Sequence, residues 1–183
     1  MFMEHPIEQV IARCRQNDRK AQRELYDRFD RFVMRICYRY ANEMEEAKDM
    51  LQNTFVRVFH HLHDYDASKG TFVNWIHRIA VNEAIALKRK KYQWQLSEQA
   101  LEQAEQACPS DIIQRLTVDE LRALILTLPD IHRTVLMLHY FDGLTHEEMA
   151  ELLGIALSSS RARLSRAKNE LISRWNHHQQ IGL

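Results

Sequence analysis

The segment Leu144–Lys168 limits most strongly what the chain can fold into. Thr145 and Glu148 have the spacing of a capping box, which marks the start of a helix. Gly154 is placed to end that helix, because glycine readily adopts the left-handed conformation found after a helix C-terminus. Ser158 or the serine after it can then cap a second helix. Two short helices around a tight turn are typical of a helix-turn-helix, whose second helix enters a DNA groove.

The second helix of this motif holds most of the positive charge of its domain. Four of the six Lys and Arg residues after position 130 lie between Arg161 and Lys168. Arginine makes bidentate contacts with guanine edges and phosphates, and serine adds short polar contacts. A solvated helix face could have the same residues, but their place directly after a capped helix and a glycine turn favours DNA binding.

The rest of the chain is also predicted to be helical, because it has few residues that interrupt helices. The 183 residues include 4 glycines and 3 prolines, and 45% are hydrophobic, which favours long helices over many short strands. Apolar residues at helical spacing predict four helices in the first half. They span Ile7–Arg15, a helix capped by Asp18 that runs to Tyr40, about Met44–His63, and Thr71 to the basic run at 88–91, with Trp75 on the inward face of the last. Two more are predicted at Thr117–Thr127 and Pro129–Tyr140.

The fold class is therefore predicted to be all-α, with two small helical domains joined by a flexible linker. The domains are expected at residues 1–92 and 116–183. Residues 93–115 are rich in Gln, Glu, Ala and Ser and contain few large apolar residues, which is typical of a linker. The net charge of zero is consistent with DNA binding, because an acidic middle offsets two cationic ends.

Several features favour a cytoplasmic protein that does not enter a membrane. No apolar run approaches the roughly 20 residues of a membrane span, and the N-terminus lacks the pattern of a signal peptide. Cys14, Cys37 and Cys108 are widely spaced and form no CxxC pair, which suits a reducing compartment.

A metal site and an enzyme active site have little support. His60, His61 and His63 are close together, but no cysteine or carboxylate pair completes a tetrahedral set. The acidic pair Glu45–Glu46 and Asp49 have no nucleophile or phosphate-binding loop nearby. We expect these carboxylates to form a solvated or protein-binding face, and we expect no metal, cofactor or catalytic residue.

Five longer segments are more specific than a lone helix-turn-helix. Three lie in the N-terminal domain: AQRELYDRF, EEAKDMLQNTFVRVFHHL and GTFVNWIHRIAVNEAIALKRK. Two lie in the C-terminal domain: LPDIHRTVLMLHYFDGLTHEEMAELLGI and SRARLSRAKNEL. In order and spacing they resemble the sigma-70 family, specifically the small extracytoplasmic-function (ECF, group IV) sigma factors. The resemblance implies sigma regions 2 and 4 joined by a linker, in a non-catalytic factor that directs RNA polymerase to promoters.

The resemblance also implies roles for residues of the N-terminal domain. The third helix looks like the surface that docks on the β′ clamp helices of core RNA polymerase, through Asp49, Leu51, Gln52, Phe55 and Val58. The following loop and helix look like the reader of the −10 element, which is melted with one base flipped out. The corresponding residues are Asp66, Lys69, Gly70, Thr71, Asn74, Arg78, Asn82, Lys88 and Arg89.

The second helix of the helix-turn-helix looks like the reader of the −35 duplex. Its corresponding residues are Ser159, Ser160, Arg161, Arg163, Ser165, Arg166 and Lys168. The implied partners are core RNA polymerase, through its β′ clamp helices and β flap, and promoter DNA as −35 duplex and −10 single strand. Many members of the family are also held inactive by an anti-sigma factor.

The chain departs from the family pattern at a few positions. Lys48 and Asn53 stand where an acid and a glutamate are usual, and the triplet Ser158–Ser160 replaces the usual Gly-Thr-Val. Ser160 thus takes the place of a packing apolar residue. Because burying a hydroxyl without a partner costs about 1–3 kcal/mol, we expect it to bond to a backbone carbonyl of the preceding turn.

Two other functions fit the motifs taken without the resemblance. The chain could be a transcriptional regulator whose N-terminal helices sense a ligand or dimerise while the helix-turn-helix binds an operator. It could also be an interaction module that regulates another protein, with its charges serving solvation. The first alternative predicts specific duplex binding without polymerase, and the second predicts no effect on DNA.

Overall fold

The computed structural model describes residues 5–92 and 117–181, and it divides the chain into two compact units, Met1–Lys91 and Tyr92–Leu183. The described residues form helices and no strands, which confirms the all-α prediction. The predicted linker 93–115 and Cys108 lie outside the described residues. The exact domain boundaries therefore stay a prediction.

The N-terminal unit contains four α-helices within residues 5–92. They are α1 (Ile7–Arg15), α2 (Arg19–Tyr40), α3 (Met44–His60) and α4 (Phe72–Tyr92), with short 3₁₀ helices at Leu62–Asp64 and Ala67–Lys69 before α4. The Asp18 side chain accepts the backbone N–H groups of Lys20 and Ala21 and caps α2 as predicted. The third helix ends at His60 instead of His63, because the chain tightens there into the first 3₁₀ turn.

The core of this unit forms where α2 packs against both α1 and α3. Leu25 and Val33 of α2, Met50 and Val58 of α3, and Ile76 of α4 are all 0% exposed. Full burial of such a side chain contributes roughly 1.5–3 kcal/mol relative to exposure. Each helix therefore gives one apolar face to the interior, as its spacing of apolar residues predicted.

Three charged residues of this unit, Glu46, Glu83 and Lys88, are buried, and the predictions for Glu46 and Lys88 were wrong. Lys88 is 0% exposed and Glu46 is 4% exposed, and their Nζ and Oε2 atoms are 3.3 Å apart. Lys88 follows the buried residues Ala84 and Ile85 by four and three positions, which places it on the buried face of α4. Lys88 is therefore not a phosphate contact, and Glu46 does not belong to a solvated face.

The C-terminal unit contains α5 (Val118–Leu126), α6 (Asp130–Tyr140), α7 (His146–Leu153) and α8 (Leu157–Ile181) within the described residues. Thr145 and Glu148 form the predicted capping box at the start of α7. Gly154 ends α7 with φ of 66° and ψ of 39°, the left-handed conformation that favours glycine. Helices α7 and α8 thus form the predicted helix-turn-helix.

Helix α8 is the centre of its unit, because it packs against α5, α6 and α7. Leu138 of α6, Met149 of α7 and Ala167 of α8 are 0% exposed at these contacts. The helix begins at Leu157, so the prediction that Ser158 or the next serine caps it is wrong. These serines lie inside the first turn of α8.

Two further properties concern the helices and side chains at 5–92 and 117–181. None of these helices is both long and apolar enough to cross a membrane. Across the same residues, no three His, Cys, Asp or Glu side chains are grouped as metal ligands.

Cys14 and Cys37 are buried free thiols, and burial raises the pKa of Cys14 to about 11 and that of Cys37 to about 12.

Candidate nucleic-acid and polymerase interface

The loop between α3 and α4 is anchored by a side chain from α1. The Arg15 guanidinium donates from Nε to the Leu62 carbonyl at 3.1 Å and from a terminal nitrogen to the Tyr65 carbonyl at 2.5 Å. The Leu62 carbonyl also accepts the Tyr65 backbone N–H at 3.4 Å, so Arg15 adds a second donor to it. The loop is therefore fixed to the body of the unit at its start.

Aromatic rings anchor the same loop to the start of α4. The centroid of the Tyr65 ring lies 5.2 Å from that of Phe72 and 5.6 Å from that of Trp75, and Phe72 and Trp75 are 5.4 Å apart. Phe72 also contacts Phe29 of α2, with centroids 5.1 Å apart. Trp75 is half-buried and belongs to this cluster, as the apolar spacing of α4 predicted.

Asp66 and Gly70 determine the shape of the loop itself. The Asp66 carboxylate accepts the backbone N–H of Ser68 at 2.9 Å and its hydroxyl at 2.8 Å, and these hydrogen bonds lower the pKa of Asp66. Gly70 has φ of 148°, a backbone conformation that residues with a Cβ rarely adopt. The Tyr65 hydroxyl donates to the Gly70 carbonyl at 3.2 Å. Both predicted site residues thus organise the loop.

Helix α4 continues the loop with an exposed polar strip. The backbone N–H of Asn74 donates to the Thr71 hydroxyl at 3.2 Å, so Thr71 helps to begin the helix. Asn74, Arg78 and Asn82 follow at intervals of four residues and are exposed, which places them on one helix face. Lys69 of the loop and Arg89 of α4 are also exposed. We define the loop–α4 strip as the predicted −10-reading residues other than Lys88: Asp66, Lys69, Gly70, Thr71, Asn74, Arg78, Asn82 and Arg89.

The predicted polymerase-docking residues of α3 fall on two opposite faces. Asp49 and Gln52 are exposed. Leu51, Phe55 and Val58 are 7%, 3% and 0% exposed because they form the apolar stripe that packs into the core. Most of the surface of these three side chains is used by the core, and their contact with polymerase stays a prediction.

Sequence reasoning missed one candidate on the exposed face of α3. Val56 is 66% exposed and lies four positions after Gln52. The signal was present in the sequence, because position 56 falls outside the stripe of buried apolar residues and yet has an apolar side chain. We define the α3 outer face as Asp49, Gln52, Asn53 and Val56.

The predicted DNA-reading residues of α8 are likewise divided by burial. Arg161 is exposed, and Ser159, Arg166 and Lys168 are partly exposed. Ser160, Arg163 and Ser165 are 0%, 9% and 8% exposed. Because three helices pack around α8, more of its circumference is buried than the sequence suggested. Burial places these three side chains mainly on the packed side of α8, and their contact with DNA stays a prediction.

The Ser160 hydroxyl has a different partner from the one predicted. It lies 3.1 Å from Nδ1 of His146, the first residue of α7. The His146 ring in turn stacks on that of His139, with centroids 5.5 Å apart. The expected bond to a backbone carbonyl is wrong, and the buried hydroxyl links the two helices of the motif instead.

Two basic side chains of α8, the exposed Arg161 and the partly exposed Lys168, have neighbours within the unit. A guanidinium nitrogen of Arg161 lies 3.7 Å from a carboxylate oxygen of Glu147, and both side chains are more than half exposed. The Lys168 ammonium lies 5.8 Å from the ring centroid of Tyr140, within the range of a cation–π contact. Such exposed pairs are weak, so both cations can exchange these neighbours for phosphate groups.

Comparison with known proteins agrees with this geometry. Residues 25–94 match the model of Sigma-70 region 2, and residues 118–171 match that of Sigma-70, region 4. The RNA polymerase sigma factor YlaC of Bacillus subtilis (strain 168) is 31% identical over 81% of this chain and 88% of its own length. The ECF RNA polymerase sigma factor SigW of the same organism is 28% identical over 92% of this chain and 96% of its length.

The chain belongs to the ECF sigma factors of the sigma-70 family. It is an RNA polymerase sigma factor that directs promoter-specific transcription. Sigma factors are non-catalytic initiation factors. The resemblance noted in the sequence is thus confirmed at the level of the family.

Solved structures show the same fold. One is CnrH, solved with the cytosolic domain of CnrY, which matches with a TM-score of 0.51 at 21% sequence identity. The match covers 92% of this chain and 96% of CnrH. RpoE of Bartonella quintana, in a structure with the anti-sigma factor NepR, covers 81% with a TM-score of 0.52 at 19% identity, and 92% of that chain is matched.

Replacing Gly70 with alanine should destabilise the loop that precedes α4. A Cβ at φ of 148° is strained even though nothing lies within 4 Å of it, and such strain costs about 1–3 kcal/mol. The free energy of unfolding of the N-terminal unit, followed in urea by amide signals of α2 and α4, should fall by that amount. Lys69→Ala is the control and should change it by less than about 0.5 kcal/mol. Equal stability of Gly70→Ala and wild type would contradict this account of the loop.

Proposed function

We propose that this sigma factor docks on core RNA polymerase through the α3 outer face, reads the −10 element with the loop–α4 strip, and reads the −35 element with α8. The observation that supports this division is that each unit combines a packed core with exposed polar and basic side chains on the helix assigned to DNA. The proposed domains are residues 1–92 and 116–183, with 93–115 as the flexible linker. The protein has no catalytic activity of its own in this proposal.

The loop–α4 strip suits a single strand of melted DNA. Asn74 and Asn82 offer both a donor and an acceptor to the edge of an unstacked base. Arg78 and Arg89 lie on the same strip and can neutralise phosphates. The anchoring of the loop by Arg15 and the aromatic cluster means that little ordering free energy is lost when the strand binds.

Helix α8 suits duplex DNA, with fewer contacts than its sequence suggested. Arg161 and Arg166 can reach base edges or phosphates, Ser159 can add a polar contact, and Lys168 can bind a phosphate. Three cationic contacts give weak binding, whose log K falls against log salt with a slope of only about −0.9 per phosphate neutralised. Attachment of both units to one polymerase makes promoter binding bivalent, which raises the overall affinity.

The partners follow from this arrangement. The α3 outer face would meet the β′ clamp helices, and the C-terminal unit would meet the β flap. An anti-sigma factor is a further proposed partner, supported by the similarity to RpoE, whose structure contains the anti-sigma factor NepR, and to CnrH, whose structure contains the cytosolic domain of CnrY. A cytoplasmic location is proposed because polymerase and promoter DNA are found there.

Run-off transcription with purified core polymerase tests the whole proposal. Addition of the protein should produce transcripts from specific start sites on a genomic template pool, whereas core polymerase without it should not. Specific duplex binding without polymerase, together with no transcripts, would favour an operator-binding regulator. No effect on either measurement would favour an interaction module.

Variants in the two units should fail at different steps of initiation. Arg161→Ala or Arg166→Ala should weaken protection of the −35 element about tenfold, since a good base contact is worth about 1–3 kcal/mol. Asn82→Ala should leave that footprint intact but lower the yield of open complexes, as measured by permanganate reactivity of the −10 strand. Arg174→Ala is a matched control near the end of α8, where the guanidinium bonds to the Thr127 carbonyl. Identical footprints and opening in all variants would contradict the assignment.

Val56→Asp should weaken binding to core polymerase. A charge at the centre of a desolvated contact costs about 2 kcal/mol or more, so the dissociation constant should rise at least about tenfold in an anisotropy titration with core enzyme. Val73→Asp, at a 45% exposed position of α4, introduces the same charge outside the α3 outer face. The two variants should therefore differ in core affinity, and equal affinities would place the docking surface elsewhere.

A further inference from the structure

We propose that Lys88 is a positioning residue: its buried ion pair with Glu46 fixes the promoter-reading helix α4 relative to the polymerase-docking helix α3. This inference rests on the proposed roles of the two helices. It gives a function to a lysine that stands in a basic run and yet cannot reach DNA.

The geometry of the pair is that of an internal connection between the helices. The Lys88 side chain is 0% exposed and that of Glu46 is 3% exposed, with Nζ and Oε2 3.3 Å apart. The same Glu46 oxygen accepts the backbone N–H of Asn42 at 2.6 Å. The carboxylate therefore joins three segments: the turn before α3, the first turn of α3, and the last third of α4.

A second ion pair joins the same two helices. Arg57, near the end of α3, contacts Glu83 of α4, whose side chain is 9% exposed. The two pairs thus connect the beginning and the end of α3 to the C-terminal half of α4. Helix α4 is therefore connected to α3 at Lys88 and at Glu83. Asn82 directly precedes Glu83 in the sequence.

A buried ion pair contributes more to geometry than to stability. Apolar side chains of similar volume often give equal or greater stability, because both charges must lose their hydration. Apolar contacts also persist when a helix slides along its neighbour or rotates about its own axis. A hydrogen-bonded ion pair forms only when the two helices have one particular orientation and register. The charges at 46 and 88 therefore restrain rotation of α4 about its axis, which would turn Asn74, Arg78 and Asn82 away from the strand.

The test compares Lys88→Met, Glu46→Gln and the double variant with wild type. The amide oxygen that Glu46→Gln introduces can still accept the Asn42 N–H, and the double variant leaves neither charge buried. Its melting temperature should therefore return close to that of wild type, while each single variant melts lower. Open-complex yield should be reduced about tenfold in all three variants, since residues in direct contact couple by amounts of this order. It is measured with saturating core polymerase, at a temperature where circular dichroism shows each protein folded.

The salt dependence of promoter binding separates positioning from phosphate contact. Loss of a phosphate contact lowers the slope of log K against log salt by about 1, which we expect for Arg89→Met. The slope should stay unchanged for Lys88→Met. A lowered slope for Lys88→Met, with normal opening by Glu46→Gln, would overturn the proposal in favour of DNA contact.

Opening by the double variant separates positioning from a role in stability alone. If the double variant regained both its melting temperature and its open-complex yield, the pair would serve folding and the positioning role would be overturned. Failure of the wild-type protein to support initiation would instead refute the proposed function. The two failures are distinguishable because the wild-type reaction is measured first.

Discussion

The burial of one face of every helix is the constraint on which the N-terminal unit depends. In a unit of this size the apolar faces of α1, α2 and α3 must meet in one core, and the opposite faces are what remains for partners. The apolar stripe of α3, which resembles the docking segment of the family, is therefore used mainly by the core. Leu51, Phe55 and Val58 shape and support the helix, while Asp49, Gln52 and Val56 are presented to the outside.

Burial of helix faces limits the exposed surface of α8, the second helix of the helix-turn-helix, more strongly than that of α3. Because α5, α6 and α7 all contact α8, a basic residue there has a smaller chance of reaching the surface than on a helix at the edge of a bundle. Arg163 lies on the packed side, whereas Arg161 and Arg166 lie toward the outside. The exposed face of α8 that we propose for DNA is therefore narrow, and a narrow face makes few phosphate contacts. Promoter selection by such a unit therefore benefits from attachment to a second reader through polymerase.

Local signals in the sequence predicted local structure well. The cap at Asp18, the capping box at Thr145 and the left-handed Gly154 depend on residues within one turn of each other, and all three were confirmed. Burial of polar side chains was not predictable in this way. The positions of Lys88 and Ser160 depend on which helices pack against them, and their partners Glu46 and His146 lie 42 and 14 residues away. The local sequence of a basic run or a serine triplet does not show whether its side chains are exposed to solvent or buried in a core.

The loop between α3 and α4, which we propose reads the −10 element, shows how far such dependence extends. The match to Sigma-70 region 2 covers residues 25–94, which includes the whole loop but not α1. Yet Arg15 of α1 bonds to the carbonyls of Leu62 and Tyr65, 47 and 50 residues away. Since Tyr65 also begins the aromatic cluster with Phe72 and Trp75, the position of the loop on α4 is determined partly by a helix outside the matched segment. Variation in α1 among related factors can therefore alter how the loop is presented to DNA without any change in the residues that touch the bases.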